Sequence, residues 1–317
     1  MPIPHFLPQV SGLADYRPWF EQTEPWLPAM QEICRRHHLD PADLQRIPEG
    51  SAIVFAVGDM VIKLLPPFWR AELDQDLAGL QLVNNRLPVS TPELIATDSL
   101  LDWAYLITRR LPGQAAKGLW PKMSSADQGR ICYQLGEVMA ALHQIQPPYL
   151  IQGSPKTEWA EFVQAQQTGF VARQLSHGLA PESVEAFALA LEQSAPAISL
   201  NSEGRLLHCD LTDEHLLLEE INGQWRLTGL LDFGDAMIGA RAYEFAAPCA
   251  LLTRHQPALR QTLIAGYGQS ISEAQLLAAA LLHRFCHLPG LIRQAGITPT
   301  PEAFWECYCS LSSGTPH

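Results

Sequence analysis

The stretch HCDLTDEHLLL, residues 208–218, sets two histidines, three acidic side chains and a cysteine against a leucine run. Downstream, LLDFGDA carries Asp232 and Asp235. Asp210 and Asp232 each follow a short apolar, strand-like piece: LLHCDL with HLLLEE on one side, QWRLTGLLDFGD on the other. The Ile221-Asn222-Gly223-Gln224 segment between them reads as a turn, and a hairpin pairing would bring both carboxylates to the same region. A third candidate is Lys63, in the middle of the apolar run MVIKLL. Burying an unpaired ammonium is costly, so Lys63 either faces solvent on the strand's polar side or is held there by an anion. Two carboxylates converging beside a strand-borne lysine suit phosphoryl transfer. One carboxylate holds Mg²⁺ on the nucleotide phosphates, the other orients the attacking hydroxyl and accepts its proton, and the lysine steadies phosphate charge.

The elements that must position these groups are legible from periodicity. WLPAMQEICRRHHL places Leu27, Met30, Ile33 and Cys34 at helical spacing, which predicts an N-terminal helix. SAIVFAVGDMVIKLL is two β-branched runs about a Gly58-Asp59 turn, a hairpin with Lys63 on its second strand. RAELDQDLAGLQLV follows as a helix with Leu73, Leu77, Leu80 and Leu82 or Val83 along one face and Glu72 and Asp76 one turn apart on the other, and DWAYLITRRLPG is an apolar strand stopped by Pro112-Gly113. After Gly113 the pattern turns helical: SSADQGRICYQLGEVMAALHQI, TEWAEFVQAQQTGFVARQL and PESVEAFALALEQSA, then three further helices from residue 254 on. The stripe AAALLHRFCHL and the tryptophans are expected to be core. The fold class is therefore α+β, a small N-terminal β-sheet lobe over 1–111 and a large, mostly helical C-terminal lobe over 112–317.

Composition excludes several classes. The chain has 317 residues, 47% hydrophobic and 17% charged, enough for a substantial core. A net charge of -12, from 21 Lys+Arg against 33 Asp+Glu, argues against nucleic acid as a partner and suits a cationic small molecule. The seven cysteines form no C-x-x-C pair and sit mostly among apolar residues, as in a protein of the reducing cytoplasm. No signal peptide is visible, and no window reaches the roughly 18 apolar residues that span a bilayer.

H-x-D-L-x-x-x-x-L at 208–216, followed by L-D-F-G-D, resembles the aminoglycoside phosphotransferase family, which shares the protein-kinase-like bilobal fold. VIKLLPPFW, LPVSTPELIA, DWAYLITRRLPG and LGEVMAALH resemble the order of elements in the hygromycin B kinases, and LLHRF their C-terminal helix. The resemblance implies an ATP-dependent kinase of a small, cationic, aminoglycoside-like molecule. It gives Lys63 to the nucleotide phosphates, with Asp76 as its helix partner and Glu72 as the other candidate. Gly50 and Ser51 fall in the nucleotide-covering loop, although one glycine is not a glycine-rich loop. The backbone of Arg109 to Leu111 would take adenine, with Thr108 beside the base. Asp210 matches the catalytic base and Asp232 the magnesium ligand. Where the family pattern has a metal-binding asparagine, this chain has His215; imidazole suits Mn²⁺ better than Mg²⁺. Asp213 and Glu214 beside it are alternative oxygen donors.

Several residues keep two readings. His208 either props the catalytic loop or acts directly. Asp235 is a candidate outer-shell anchor and Glu244 part of an acidic patch for a cationic substrate; equally, Glu244 is a locally paired carboxylate with Arg241 as partner. Two rivals to the kinase remain. A nucleotide-binding regulator on the same fold is motivated by His215 and the weak loop at Gly50. A metal-dependent hydrolase would use His208, Asp210 and His215, but leaves Lys63 and LLDFGD unexplained.

Overall fold

Two apolar β-branched runs meet at Gly58, whose φ of +57° lets the chain reverse, and they pair as the expected hairpin: β2 (Ile53–Val57) with β3 (Met60–Leu65). The computed structural model describes residues 7–146, 155–198 and 204–312. The chain divides into two compact units. The first takes in residues up to Asn85, Ser90–Pro112 and Gly229–Asp235; the second takes in Arg86–Val89, Gly113–Thr228 and the chain from Ala236 on.

In the first unit, helices α1 (Leu13–Phe20) and α2 (Leu27–Arg36) precede β1 (Gln45–Ile47) and the hairpin. Helix α3 (Arg70–Val83) and strands β4 (Leu94–Leu100) and β5 (Trp103–Arg109) follow. The sheet order is β1-β2-β3-β5-β4 with every pair antiparallel. Alternation sorts its side chains. Ile53, Phe55, Ile62, Leu64, Tyr105 and Ile107 bury one face with Trp26, which precedes α2, and with Met30 and Ile33 of α2. Leu65 and Leu106 turn the other way, onto Leu73 of α3. Lys63 lies one residue from Leu64 and opposite Leu106, so its side chain points to the α3 face. Helix α3 also closes on Phe233, where a Cβ added to Gly79 would stand 2.5 Å from the Phe233 Cβ.

The second unit begins with β6 (Gln114–Ala115), α4 (Ser125–Leu142), α5 (Pro155–Ser176) and α6 (Pro181–Ser194). Helix α4 is capped by the Ser124 hydroxyl, which accepts from the Asp127 N–H at 3.1 Å. Then come β7 (Arg205–Leu207), β8 (Leu216–Ile221), β9 (Gln224–Leu230) and β10 (Met237–Gly239). The expected turn is present: Asn222 and Gly223 both take positive φ, 53° and 72°, and join β8 to β9 in a sheet of order β6-β8-β9. The expected pairing needs one correction. LLHCDL is not part of that hairpin, because β7 stops at Leu207 and pairs antiparallel with β10. Asp210 instead lies in a loop. Cys209 takes φ +67°, and the bonds Thr212 N–H to Asp210 O (2.8 Å) and His215 N–H to Thr212 O (3.1 Å) turn the chain back before β8.

The remaining helices are α7 (Ala246–Leu251), α8 (Pro257–Tyr267), α9 (Glu273–Leu282), α10 (Leu288–Ala295) and α11 (Pro301–Tyr308). Among the described residues four helices thus follow residue 254 where three are expected. The addition is α10, whose LPGLIRQA opens with Pro and Gly; Pro289 takes the first turn and the His287 ring accepts from the Gly290 N–H at 2.8 Å. Helices α4 and α8 cross at glycines: a Cβ on Gly136 would stand 2.3 Å from Leu263 O, and one on Gly266 2.0 Å from Tyr133 O. Both obstacles are backbone, so Gly266→Ala is expected to lower stability by about 1–3 kcal/mol despite alanine's helix preference, as an overpacking substitution does. An unchanged urea midpoint would show that the two helices have room to part. All seven cysteines are free and buried.

Candidate active-site groups

In the first unit Lys63 is neither solvated nor alone. Its Nζ lies 2.9 Å from Asp76 Oδ2 and 2.9 Å from Asp232 Oδ1. Burial acts to lower the ammonium's pKa, but the Asp232 and Asp76 carboxylates outweigh it and hold Lys63 charged, well above the ordinary lysine value. Of the two candidates on α3, Asp76 therefore fills the partner position. Its shorter side chain also braces the backbone: Asp76 Oδ1 accepts the Phe233 N–H at 3.0 Å, so one buried carboxylate ties the strand lysine and helix α3 to the LLDFGD segment. Asp232 itself sits at φ +63°, and its Oδ1 also accepts the Gly234 N–H at 3.2 Å. A left-handed residue between β9 and a glycine is a strained arrangement held by its surroundings, as functional backbones commonly are. Asp235 follows, half-buried.

The other nucleotide candidates occupy the same unit. Gly50 takes φ +82° in the β1–β2 loop, and the Ser51 carbonyl accepts from the Tyr16 hydroxyl at 2.8 Å. Thr108 is buried on β5. The Arg109 side chain bonds Asp59 at 2.7 Å and Glu93 at 3.0 Å. Two backbone donors of the segment are already engaged, Arg109 N–H with Glu93 O at 2.9 Å and Arg110 N–H with Asp59 O at 2.8 Å. Adenine recognition by this segment would therefore fall to Leu111 N–H and to the carbonyls.

In the second unit, Asp210 is set by a buried carboxylate. Glu244, 2% exposed, accepts the His208 N–H at 2.7 Å on Oε2 and the Cys209 N–H at 2.8 Å on Oε1. His143 Nε2 lies 3.4 Å from the same Oε2, and His143 Nδ1 lies 2.8 Å from the Tyr267 hydroxyl. The His143 ring thus bridges the Glu244 carboxylate and the Tyr267 hydroxyl. On the other side of the turn, His283 Nε2 donates to Cys209 O at 3.0 Å while its ring stacks on Tyr243 at 5.1 Å. Burial pushes the Glu244 carboxyl pKa up, but His143, His208 and the backbone N–H groups more than reverse it, and the net shift is down.

The shift makes a pH prediction. A carboxyl with a depressed folded-state pKa adds stability that is present above its ordinary value of 4.5 and is lost as the pH falls through the folded value. The stability advantage of the wild type over Glu244→Gln is expected to shrink as the pH is taken from about 6 to about 3. A difference that stays constant across that range would mean Glu244 titrates as an ordinary glutamate.

Three readings of these residues are corrected. Glu244 is no part of an acidic substrate patch, since its side chain is fully buried and spent on backbone donors. Nor is Arg241 its partner; that guanidinium bonds Gln269 and the Ser270 carbonyl. His208 has no exposure, and its Nδ1 accepts the Asp210 N–H at 3.2 Å, which makes it a positioning residue and not a group in direct contact with a substrate.

His215 Nδ1 lies 2.8 Å from Asp210 O and 3.3 Å from Asp210 Oδ2. The proton on that nitrogen points at Asp210, so a metal ion would have to meet the ring at Nε2. Glu214 is paired with Lys117, and burial together with Glu214 raises the Asp213 pKa. Asp232, a part-exposed carboxylate, has the kind of hard oxygen that Mg²⁺ prefers. The hydrolase set His208, Asp210 and His215 does not form: among the described residues no three such side chains are grouped as metal ligands, and His208 is turned to the backbone.

Sequence reasoning did not single out His143, Tyr267, His283 or the Cys209 backbone. His143 and His283 each end an apolar helical stripe, and a polar residue in that position was the available signal.

Among solved structures, the chain is similar to the GDP complex of wild-type aminoglycoside 2'-phosphotransferase-IIIa, with 22% identity and a TM-score of 0.69 over 81% of this chain and 87% of that one. The GDP and kanamycin complex of APH(2")-IIia gives 19% and 0.70 over 88% and 95%. The streptomycin-ATP-APH(2")-IIa ternary complex gives 16% and 0.56 over 85% and 88%. At these identities the likeness establishes the fold, an N-terminal antiparallel sheet with a larger helical part. No curated protein sequence matches the chain. The profile of the phosphotransferase enzyme family matches residues 43–282, which include Lys63, Asp76, Asp210, Asp232 and Glu244, and with well over half of its length matched the chain belongs to that family.

Proposed function

We propose that this protein transfers the γ-phosphate of ATP to a hydroxyl of a small, cationic, aminoglycoside-like molecule. The observation that carries the reading is Lys63, a buried ammonium 2.9 Å from both Asp76 and Asp232. Apolar replacements generally serve stability as well as a charge triad of this kind, so the triad is suited to a charged ligand. In the proposed mechanism Lys63 bonds the nucleotide phosphates and the backbone of residues 109–111 takes the adenine. Asp232 would hold the divalent cation, Mg²⁺ or, with His215 Nε2, Mn²⁺, which supplies charge neutralisation on the phosphates. Asp210 aligns the acceptor hydroxyl and takes its proton as the oxygen attacks phosphorus in line and the bond to the β-phosphate oxygen breaks. Positioning and charge do most of the work. The net charge of -12 favours a cationic acceptor, and relatives of this fold have been seen with kanamycin and with streptomycin.

A second reading has its own observation. His215, at the position where the family pattern has a metal-binding asparagine, turns Nδ1 toward Asp210, 2.8 Å from its carbonyl oxygen and 3.3 Å from Oδ2. On that reading the protein binds nucleotide without turnover.

The deciding experiment is nucleotide turnover by the purified chain with Mg²⁺ and with Mn²⁺, against hygromycin B, other aminoglycosides and small amino alcohols, with Asp210→Ala as control. Transfer to one of these compounds that is lost in the variant supports the kinase. Tight nucleotide binding with no transfer to any of them supports the second reading.

A further inference from the structure

The loop between β1 and β2 has one glycine where a nucleotide-covering loop is expected to have several. Its backbone is instead held by side chains that come from before it in the chain. The Tyr16 hydroxyl, on α1, donates to Ser51 O at 2.8 Å. The Arg46 guanidinium donates through Nη1 to Ile47 O at 2.5 Å and Val54 O at 2.9 Å, bridging the two ends of the loop, and through Nη2 to Phe20 O at 3.4 Å. It also lies over the Phe20 and Phe55 rings, 5.4 and 5.5 Å from their centroids.

These clamps are themselves fixed. Tyr16 is 2% exposed, with Trp69, Trp103 and Trp26 rings at 5.3, 6.1 and 6.4 Å, and the Trp26 indole N–H donates to Trp19 O at 3.1 Å. The open side of the loop contrasts with this. A Cβ added to Gly50 would meet nothing within 4 Å, so Gly50 serves the backbone angle and not a close approach within the chain.

We infer that Tyr16 and Arg46 are positioning residues for the nucleotide: they hold the 48–52 backbone in place over the phosphates, doing by side-chain clamping what a glycine-rich loop does by adapting. The inference rests on the proposed nucleotide site. Its physical basis is the entropy of ordering. A free loop is ordered when the nucleotide binds and lowers affinity by that cost, whereas a loop already held by α1 and Arg46 is ordered when the protein folds. Helix α1 and its aromatic neighbours thereby become determinants of phosphate affinity.

The test uses the full chain and the variant Tyr16→Phe, which keeps the ring and removes only the donor to Ser51. Binding of ATP and of adenosine is measured by calorimetry, with kcat and the thermal midpoint recorded alongside. ATP affinity is expected to fall about five-fold, the worth of one ordinary hydrogen bond, with adenosine affinity and kcat unchanged. Arg46→Gln is expected to give the same selective loss, and a larger one. Equal weakening of ATP and adenosine would overturn the inference, because it would report general damage to the unit. Unchanged ATP affinity in Tyr16→Phe, in a wild type that binds ATP, would overturn the clamp and leave the functional reading standing. A wild type that binds neither nucleotide nor adenosine would overturn both.

Discussion

Asp210→Ala will cut phosphoryl transfer by about 10²- to 10⁴-fold, the usual contribution of a positioned acid-base group, and leave the nucleotide dissociation constant nearly unchanged. The variant is a clean one for a structural reason. The contacts that shape the loop use the Asp210 backbone: its N–H goes to His208 Nδ1 at 3.2 Å, and its carbonyl meets His215 Nδ1 at 2.8 Å and the Thr212 N–H at 2.8 Å. Alanine keeps all three. The carboxylate itself is 21% exposed, so solvent reaches the place it leaves. Single-turnover measurement with saturating ATP separates the chemical step from binding. Nucleotide affinity that falls in step with turnover would show that Asp210 belongs to the nucleotide's contacts and is not the base.

Glu244→Gln will lower stability by about 3 kcal/mol and reduce transfer well beyond what that loss of folded protein explains. The side chain accepts two backbone N–H bonds, at 2.7 and 2.8 Å, one on each oxygen. An amide can accept on only one of them. Its NH₂ would face the other N–H, donor against donor, in a site with no water access, and a buried hydrogen bond to a charged group is worth about 1.5–3 kcal/mol. The functional consequence follows from what those N–H groups belong to. Cys209 holds φ +67°, a conformation unfavourable for a side-chain-bearing residue, and Glu244 on one side with His283 on the other keeps it there. Release of that turn would let Asp210 leave its position, since Cys209 is its immediate neighbour. The check is the denaturation midpoint together with kcat of the fraction that remains folded. Loss of stability with kcat intact would show that the turn holds without the carboxylate, and that Glu244 contributes to folding alone.

The legible parts of the protein were those whose cause lies within a few residues. Gly58-Asp59 and Asn222-Gly223 announce tight turns because positive φ suits those residue types, and both hairpins form there. Period two put Lys63 on the face away from Ile62 and Leu64, and period 3.6 gave α3, but Asp76, expected on the polar side of that helix, is buried on the same face as Leu73, Leu80 and Val83. Asp76 and Lys63 are 13 residues apart, near enough for hairpin and helix together to bring them into contact. Helix α10 was not expected; it carries Pro289 and Gly290 in its first turn, and the His287 ring caps it.

The pairing of β7 with β10, the burial of Glu244 and the clamp on the β1–β2 loop were decided by tertiary structure. Glu244 reads locally as a surface carboxylate in RAYEFAAP; its donors lie 35 and 36 residues earlier, and His143, the third contact, 101 residues away. No pattern within one element can report whether such partners arrive, because the favourable energy of a buried carboxylate exists only once every donor is in place. The sequence alone determined the residue types capable of phosphoryl transfer and the local elements that carry them. Packing decided which carboxylates hold the backbone, Asp76 and Glu244, since that depends on what each one is buried against.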